Sequence, residues 1–99
     1  MIFHPKDRRF IGEAIRATGD AAAAQKWDAW AKMFPVNQAS AAAPYEIAAI
    51  ALRAVTAEEA NIRAQLAASP DEDAWADLAN DLCYMQTIKA ELIAENVGH

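Results

Sequence analysis

The chain has 99 residues, 26 of them alanine, and a formal net charge of −5 at pH 7. This length suits a single domain with a modest core and leaves too little interior for a deep cavity. The negative charge opposes binding to nucleic acid or anionic membranes, and no apolar run reaches membrane-spanning length.

The first helix is predicted over residues 5–18. Pro5 suits a first helical turn, and Gly19 suits a left-handed stop. Gly12 in the middle costs about 1 kcal/mol relative to alanine, which indicates a packing reason. A basic patch is predicted on one side of this helix, formed by Arg8, Arg9 and Arg16. These arginines either pair with the chain's own acidic half or offer a site to an external anion.

A second helix is predicted over residues 21–34, with Asp20 as its N-cap and Pro35 as its stop. Aromatic side chains recur at spacings of three and four residues on one of its sides: Trp27, Trp30 and Phe34. Such a stripe is typical of a core-facing surface. Residues 35–43 are predicted to form a linker.

The third helical stretch covers residues 44–68 and contains an ambiguity. Thr56 and Glu59 form a capping-box pattern, so a new helix could begin at Thr56. One continuous helix would place Glu58 in the middle of the apolar face, where an unpaired carboxylate is costly. The sequence therefore favours a bend or break near Thr56.

The last helix is predicted over residues 69–97, with Ser69 as its cap, Pro70 at its first position and Gly98 as its stop. At about 100° per residue, one arc is apolar. It contains Trp75, Leu78, Ala79, Leu82, Met85, Leu92 and Ile93. The opposite arc is acidic and contains Asp73, Asp77, Asp81, Glu91 and Glu95. A long amphipathic helix of this kind requires other elements to cover its apolar side.

These patterns predict an all-α fold, a single domain over residues 1–99. We expect a small antiparallel bundle of four helices, or five if the third is broken, with the long C-terminal helix as its spine.

No catalytic, metal or cofactor site is predicted, and the chain is not expected to be an enzyme. His4 and His99 lie at opposite ends of the sequence, and Cys83 is the single cysteine. None of them has the close spacing of zinc ligands. Cys83 lies at the edge of the apolar arc, so we expect a packing thiol.

A DNA-binding helix-turn-helix is the wrong interpretation of residues 44–55 and 57–68. The second of these helices would begin with Glu58 and Glu59, which meet phosphate with the wrong charge.

The acidic side of the last helix is the predicted partner-binding surface. Tyr84 and Ile88 project from that side, and apolar groups among carboxylates suit a basic protein partner. The alternative is that another helix or the N-terminal arm, residues 1–3, covers both. The predicted binding residues are Asp73, Asp77, Asp81, Tyr84 and Ile88.

The sequence thus predicts a non-catalytic protein-interaction module or regulatory subunit, acting on another protein or on a second copy. An immunity- or antitoxin-type inhibitor that blocks a basic enzyme with its acidic helix face is the alternative. A small-ligand carrier is a third class and would need a dry pocket near Trp27, Trp30 and Trp75. The first residues have no signal-peptide pattern, so a cytoplasmic location is expected, and the alanine-rich, lysine-poor composition is typical of high-GC bacteria.

Overall fold

The computed structural model of the chain describes residues 2–34, 41–68 and 71–94. The elements in order are β1 (Ile2–Phe3), α1 (Pro5–Thr18), α2 (Ala21–Ala31), β2 (Ala41–Ala42), α3 (Tyr45–Ala67) and α4 (Glu72–Ala94). The predicted all-α bundle of four helices is confirmed. None of the described helices is long and apolar enough to span a bilayer.

Local cap chemistry ends α1 and begins α2 as predicted. Gly19 adopts the left-handed conformation with φ of 77°, which glycine reaches without a steric penalty. Directly after it, the carboxylate of Asp20 accepts a hydrogen bond from the Ala23 amide at 3.0 Å. The second helix ends at Ala31, earlier than predicted, and the chain continues as a turn to Phe34.

The last helix is continuous and begins slightly later than predicted. Asp71 precedes its first residue, and the Asp71 carboxylate accepts a hydrogen bond from the Ala74 amide at 2.9 Å. The helix then runs from Glu72 to Ala94 without interruption. Several predicted signals lie outside the described residues, namely Pro35, Ser69, Pro70, Glu95 and Gly98.

The predicted break near Thr56 is wrong, because α3 runs unbroken through this position. The Thr56 hydroxyl donates to the Leu52 carbonyl at 2.7 Å, a bond typical of threonine inside a helix, and does not cap a new one. Glu58 is only half-buried, at the edge of a surface cavity of about 280 Å³ between α1, α3 and α4. Its carboxylate is not enclosed, so the expected burial penalty does not arise.

Helix α3 contacts each of the other helices and holds the centre of the bundle. It carries seven of the buried side chains among the described residues, whereas α4 carries three. The pairing of α3 with α4 is antiparallel: Glu59 lies 3.6 Å from Lys89, and Ile62 and Met85 line the same cavity. Helix α1 packs on α3, and α2 packs on both.

Phe3 belongs to the core through a short strand pair that the sequence did not predict. Antiparallel pairing of Ile2 with Ala42, and of Phe3 with Ala41, joins β1 to β2. Two residues are too short to show an alternating pattern. The pairing places the Phe3 ring 5.8 Å from that of Trp27 and 6.0 Å from that of Trp30, completing a buried aromatic cluster.

Candidate functional site

The structure divides the predicted partner-binding residues into two groups. Asp73, Asp77 and Asp81 are exposed along α4. Ile88 is 2 % exposed and belongs to the hydrophobic core, and Tyr84 is half-buried. Of the two alternatives, coverage by the bundle is therefore the one found, and Ile88 is not part of a docking surface.

Tyr84 is held by α1 rather than left for a partner. Its hydroxyl donates a hydrogen bond to the Asp7 carboxylate, and its ring meets the Phe10 ring edge-on at 4.8 Å. The Lys6 ammonium lies 4.8 Å from the centre of the same ring. Burial and the adjacent Asp7 carboxylate raise the pKa of Tyr84 well above its usual range, so it stays a neutral donor.

These contacts accompany an orientation of α4 that differs from the predicted one. Its buried side chains are Met85, Ile88 and Leu92. At about 100° per residue, their mean direction lies roughly 70° from the centre of the predicted apolar arc. Trp75 and Ile93, predicted to face inward, are 53 % and 46 % exposed.

This orientation predicts that the same substitution costs more stability at Ile88 than at Ile93. Ile88→Val removes a buried methylene and should lower the free energy of unfolding by about 1 kcal/mol. Ile93→Val, on the exposed side, should change it by less than about 0.5 kcal/mol. Urea unfolding of both variants measures the difference. A larger loss of unfolding free energy for Ile93→Val than for Ile88→Val would mean that α4 buries the apolar arc predicted from the sequence.

The exposed side of α4 forms a continuous stripe that we call the α4 flank. Its members recur at alternating spacings of four and three residues, as in the contact seam of a coiled coil. The flank consists of Trp75, Ala79, Leu82, Gln86, Lys89 and Ile93. Ala79, Leu82 and Lys89 are half-buried, so the stripe is shallow. It is apolar from Trp75 to Leu82, polar at Gln86 and Lys89, and apolar again at the exposed Ile93.

Charge is unevenly distributed along the α4 flank. Residues 71–88 contain five carboxylates and no lysine or arginine. Lys89, near the other end, lies 3.6 Å from the Glu59 carboxylate of α3. Asp71 and Glu72 lie within about one helical turn of Trp75, whereas Asp73, Asp77 and Asp81 lie on the opposite arc. The end of the flank that carries Trp75 therefore has two carboxylates beside it and no positive charge among residues 71–88.

The predicted basic patch lines a groove between α1 and α2. The α1–α2 groove has a volume of about 590 Å³. Its α1 wall contains Pro5, Arg8, Arg9, Gly12, Glu13 and Arg16. Its other wall contains Trp27, Asp28 and Ala31 of α2, and Phe34 from the turn that follows α2. Arg8, predicted on the polar side of α1, is 9 % exposed, whereas Arg9 and Arg16 are exposed. Arg16 lies 3.8 Å from Asp28, and both side chains are largely exposed, so this ion pair is weak.

Close packing explains the glycine at position 12, as its location in the middle of α1 predicted. A Cβ at this position would lie 3.2 Å from both the Arg16 Nη1 atom and the Trp27 Nε1 atom. Arg16 is exposed and can move aside, but Trp27 is buried against the Phe3 and Trp30 rings. Glycine thus lets an indole N–H and a guanidinium approach the same point of the α1 backbone.

The remaining sequence candidates do not assemble into a site. Cys83 is exposed, so the predicted packing thiol is wrong. Within the described ranges, no three His, Cys, Asp or Glu side chains are grouped as metal ligands. Trp27 and Trp30 pack together in the core, but Trp75 lies on the α4 flank, so the three indoles do not enclose a common pocket.

The described residues form two candidate surfaces, the α4 flank and the α1–α2 groove. Among the residues named for these surfaces, no nucleophilic side chain lies beside a general base. Comparison of the chain with protein-family models, curated proteins and solved structures finds no match.

Proposed function

We propose that the protein is a non-catalytic interaction module that presents the α4 flank to an amphipathic helix of a partner protein. The observation that carries the proposal is the exposure of Trp75 and Ile93 on one line of α4, five helical turns apart. A partner helix that alternates apolar residues at the same spacings would pack its side chains between them.

The charges of the α4 flank indicate what kind of helix fits. The carboxylates of Asp71 and Glu72, four and three residues before Trp75 on the same side of α4, favour a partner with lysine or arginine beside its apolar stripe. A second copy of this chain suits the flank less well, because residues 71–88 would bring the same negative charge.

Trp75 is the residue expected to contribute most to partner binding. Large aromatic side chains that become buried in a protein contact frequently contribute about 2 kcal/mol or more, and tryptophan is among the most enriched types. Because its ring is half-exposed in the free chain, its removal should leave the core intact.

Titration with designed helical peptides tests this proposal. A Leu/Lys amphipathic peptide should bind and shift the fluorescence of Trp75, whereas a Leu/Glu peptide of the same pattern should not. Trp75→Ala should weaken binding of the basic peptide by about thirtyfold, the equivalent of about 2 kcal/mol. Binding to this variant can be followed by calorimetry, since it lacks the Trp75 reporter and keeps only the buried Trp27 and Trp30.

Met33→Ala is the matched control, because Met33 is also exposed but lies after α2, away from the α4 flank. It should bind as the unchanged chain does. Equal binding of the acidic and basic peptides, or full binding by Trp75→Ala, would refute the docking surface. Thermal unfolding of each variant separates loss of contact from loss of fold.

The inhibitor of a basic enzyme stays a second proposal, supported by the exposed Asp73, Asp77 and Asp81 at four-residue spacing. Charge blocking of this kind weakens steeply with salt, whereas apolar docking does not. Replacing the three aspartates with asparagine should abolish charge-driven binding. If the asparagine variant no longer binds the partner while Trp75→Ala binds it fully, the inhibitor function is favoured over helix docking.

A further inference from the structure

We propose that the α1–α2 groove binds a small aromatic carboxylate, with the carboxylate at the arginines and the ring against the apolar wall. The groove lies on a different surface from the α4 flank and does not depend on the docking function. Its volume of about 590 Å³ lies within the range of small-ligand sites.

The charge of the groove is opposite to that of the chain. Three arginines and two carboxylates line it, a net charge of +1, whereas the whole chain carries −5. Guanidinium groups bind carboxylates through paired, charge-assisted hydrogen bonds. Arg9 and Arg16 are exposed at the rim and offer their guanidinium groups to a ligand, while Arg8 is buried in the wall.

Donor geometry around Gly12 gives the groove a defined polar end. The Arg16 Nη1 and Trp27 Nε1 atoms both lie 3.2 Å from the position of a Cβ on Gly12. Trp30 donates its indole N–H to the Ala42 carbonyl, whereas the Trp27 Nε1 atom lies beside Gly12 in the groove lining. In the proposed complex, the ligand carboxylate accepts from the Trp27 N–H and from Arg16.

The internal competitor for this position is weak. Asp28 lies 3.8 Å from Arg16, beyond hydrogen-bonding distance, and both groups are at least half exposed. A ligand carboxylate that also buries a ring gains apolar contact that Asp28 cannot provide.

The wall opposite α1 favours a ligand with a flat aromatic ring. Trp27 and Ala31 of α2, with Phe34 from the turn that follows it, form this wall, and the Phe34 ring lies 5.3 Å from that of Trp30. Aromatic rings stack or pack edge-on against such a wall. A simple anion such as inorganic phosphate would reach the arginines and leave this wall unused.

Benzoate titration followed through the three tryptophan indole N–H resonances tests the site. We expect benzoate to shift the Trp27 resonance with a Kd of about 1 mM or tighter, and to leave that of Trp75 in place. Benzamide, which has the same shape without the charge, and inorganic phosphate, which has charge without the ring, should each bind at least about tenfold more weakly.

Substitutions at the exposed arginines complete the test, because they leave the core untouched. The double variant Arg9→Gln and Arg16→Gln should weaken benzoate binding by about tenfold or more. Lys32→Gln removes a positive charge from the end of α2 outside the groove and should bind as the unchanged chain does. Equal binding of benzamide and benzoate, an unmoved Trp27 resonance, or full binding by the arginine variant would overturn the proposal.

Discussion

Replacing Trp30 with alanine should lower the free energy of unfolding by about 3–5 kcal/mol. Trp30 is 4 % exposed, and its ring lies 5.1 Å from that of Trp27, 5.3 Å from that of Phe34 and 6.0 Å from that of Phe3. Its indole N–H also donates to the Ala42 carbonyl at 3.2 Å. The substitution therefore removes the ring that joins α2 to both strands.

Urea unfolding measures this loss against two controls. A domain of this size has a total stability of only about 5–15 kcal/mol, so the variant should lose a large part of it. Trp30→Phe keeps an aromatic ring and should lose less. Trp75→Ala makes the same chemical change on the exposed α4 flank and should stay within about 0.5 kcal/mol of the unchanged chain. Equal losses at the two tryptophans would contradict the core described above.

Replacing Ala57 with proline should destabilise the chain by about 3 kcal/mol or more, although Ala57 is exposed. Position 57 lies inside α3, where proline removes an amide donor and clashes with the preceding turn. In a bundle of five helices, Thr56 would be an N-cap and position 57 the first helical residue, where proline is favourable. The substitution therefore distinguishes one continuous helix from two.

Circular dichroism together with urea unfolding measures the effect of Ala57→Pro. Ala57→Gly is the control, since it perturbs the backbone without removing the amide and should cost about 1 kcal/mol. An Ala57→Pro variant as stable as the unchanged chain would mean that α3 is broken at Thr56.

Cap signals near α1 and α2 were predictable because their chemistry involves neighbouring residues alone. Gly19 ends one helix and Asp20 begins the next within two positions of sequence. The same local logic failed at Thr56, because its hydroxyl can satisfy a carbonyl one turn earlier as well as an amide ahead of it. A capping-box pattern is therefore compatible with both a helix start and a helix interior.

The orientation of α4 could not be predicted from its own sequence. Apolar residues spread widely around this helix, and several directions would bury a comparable number of them. The structure buries Ile88 and exposes Trp75 because α4 must meet both α3 and α1. Its contact with α1 includes the hydrogen bond between Tyr84 and Asp7, which are 77 residues apart in sequence.

Only the basic side of the α1–α2 groove could be predicted from the sequence. Arg8, Arg9 and Arg16 follow from helical periodicity, which places them on one side of α1. Trp27 and Phe34 line the same groove because of the way α2 packs across α1. The stripe of aromatic rings in the sequence predicts that they are buried, but it does not predict which helix covers them.

Sequence alone determined that this chain is all-α with an apolar interior, since helix formation depends on periodicity, caps and alanine-rich composition that act over a few residues. The structure decided that the described helices number four and not five. Only the tertiary structure decided which sides of those helices meet. Packing is settled jointly by side chains far apart in sequence, and it is this joint choice that left the α4 flank exposed and brought the arginines of α1 to the indole of Trp27.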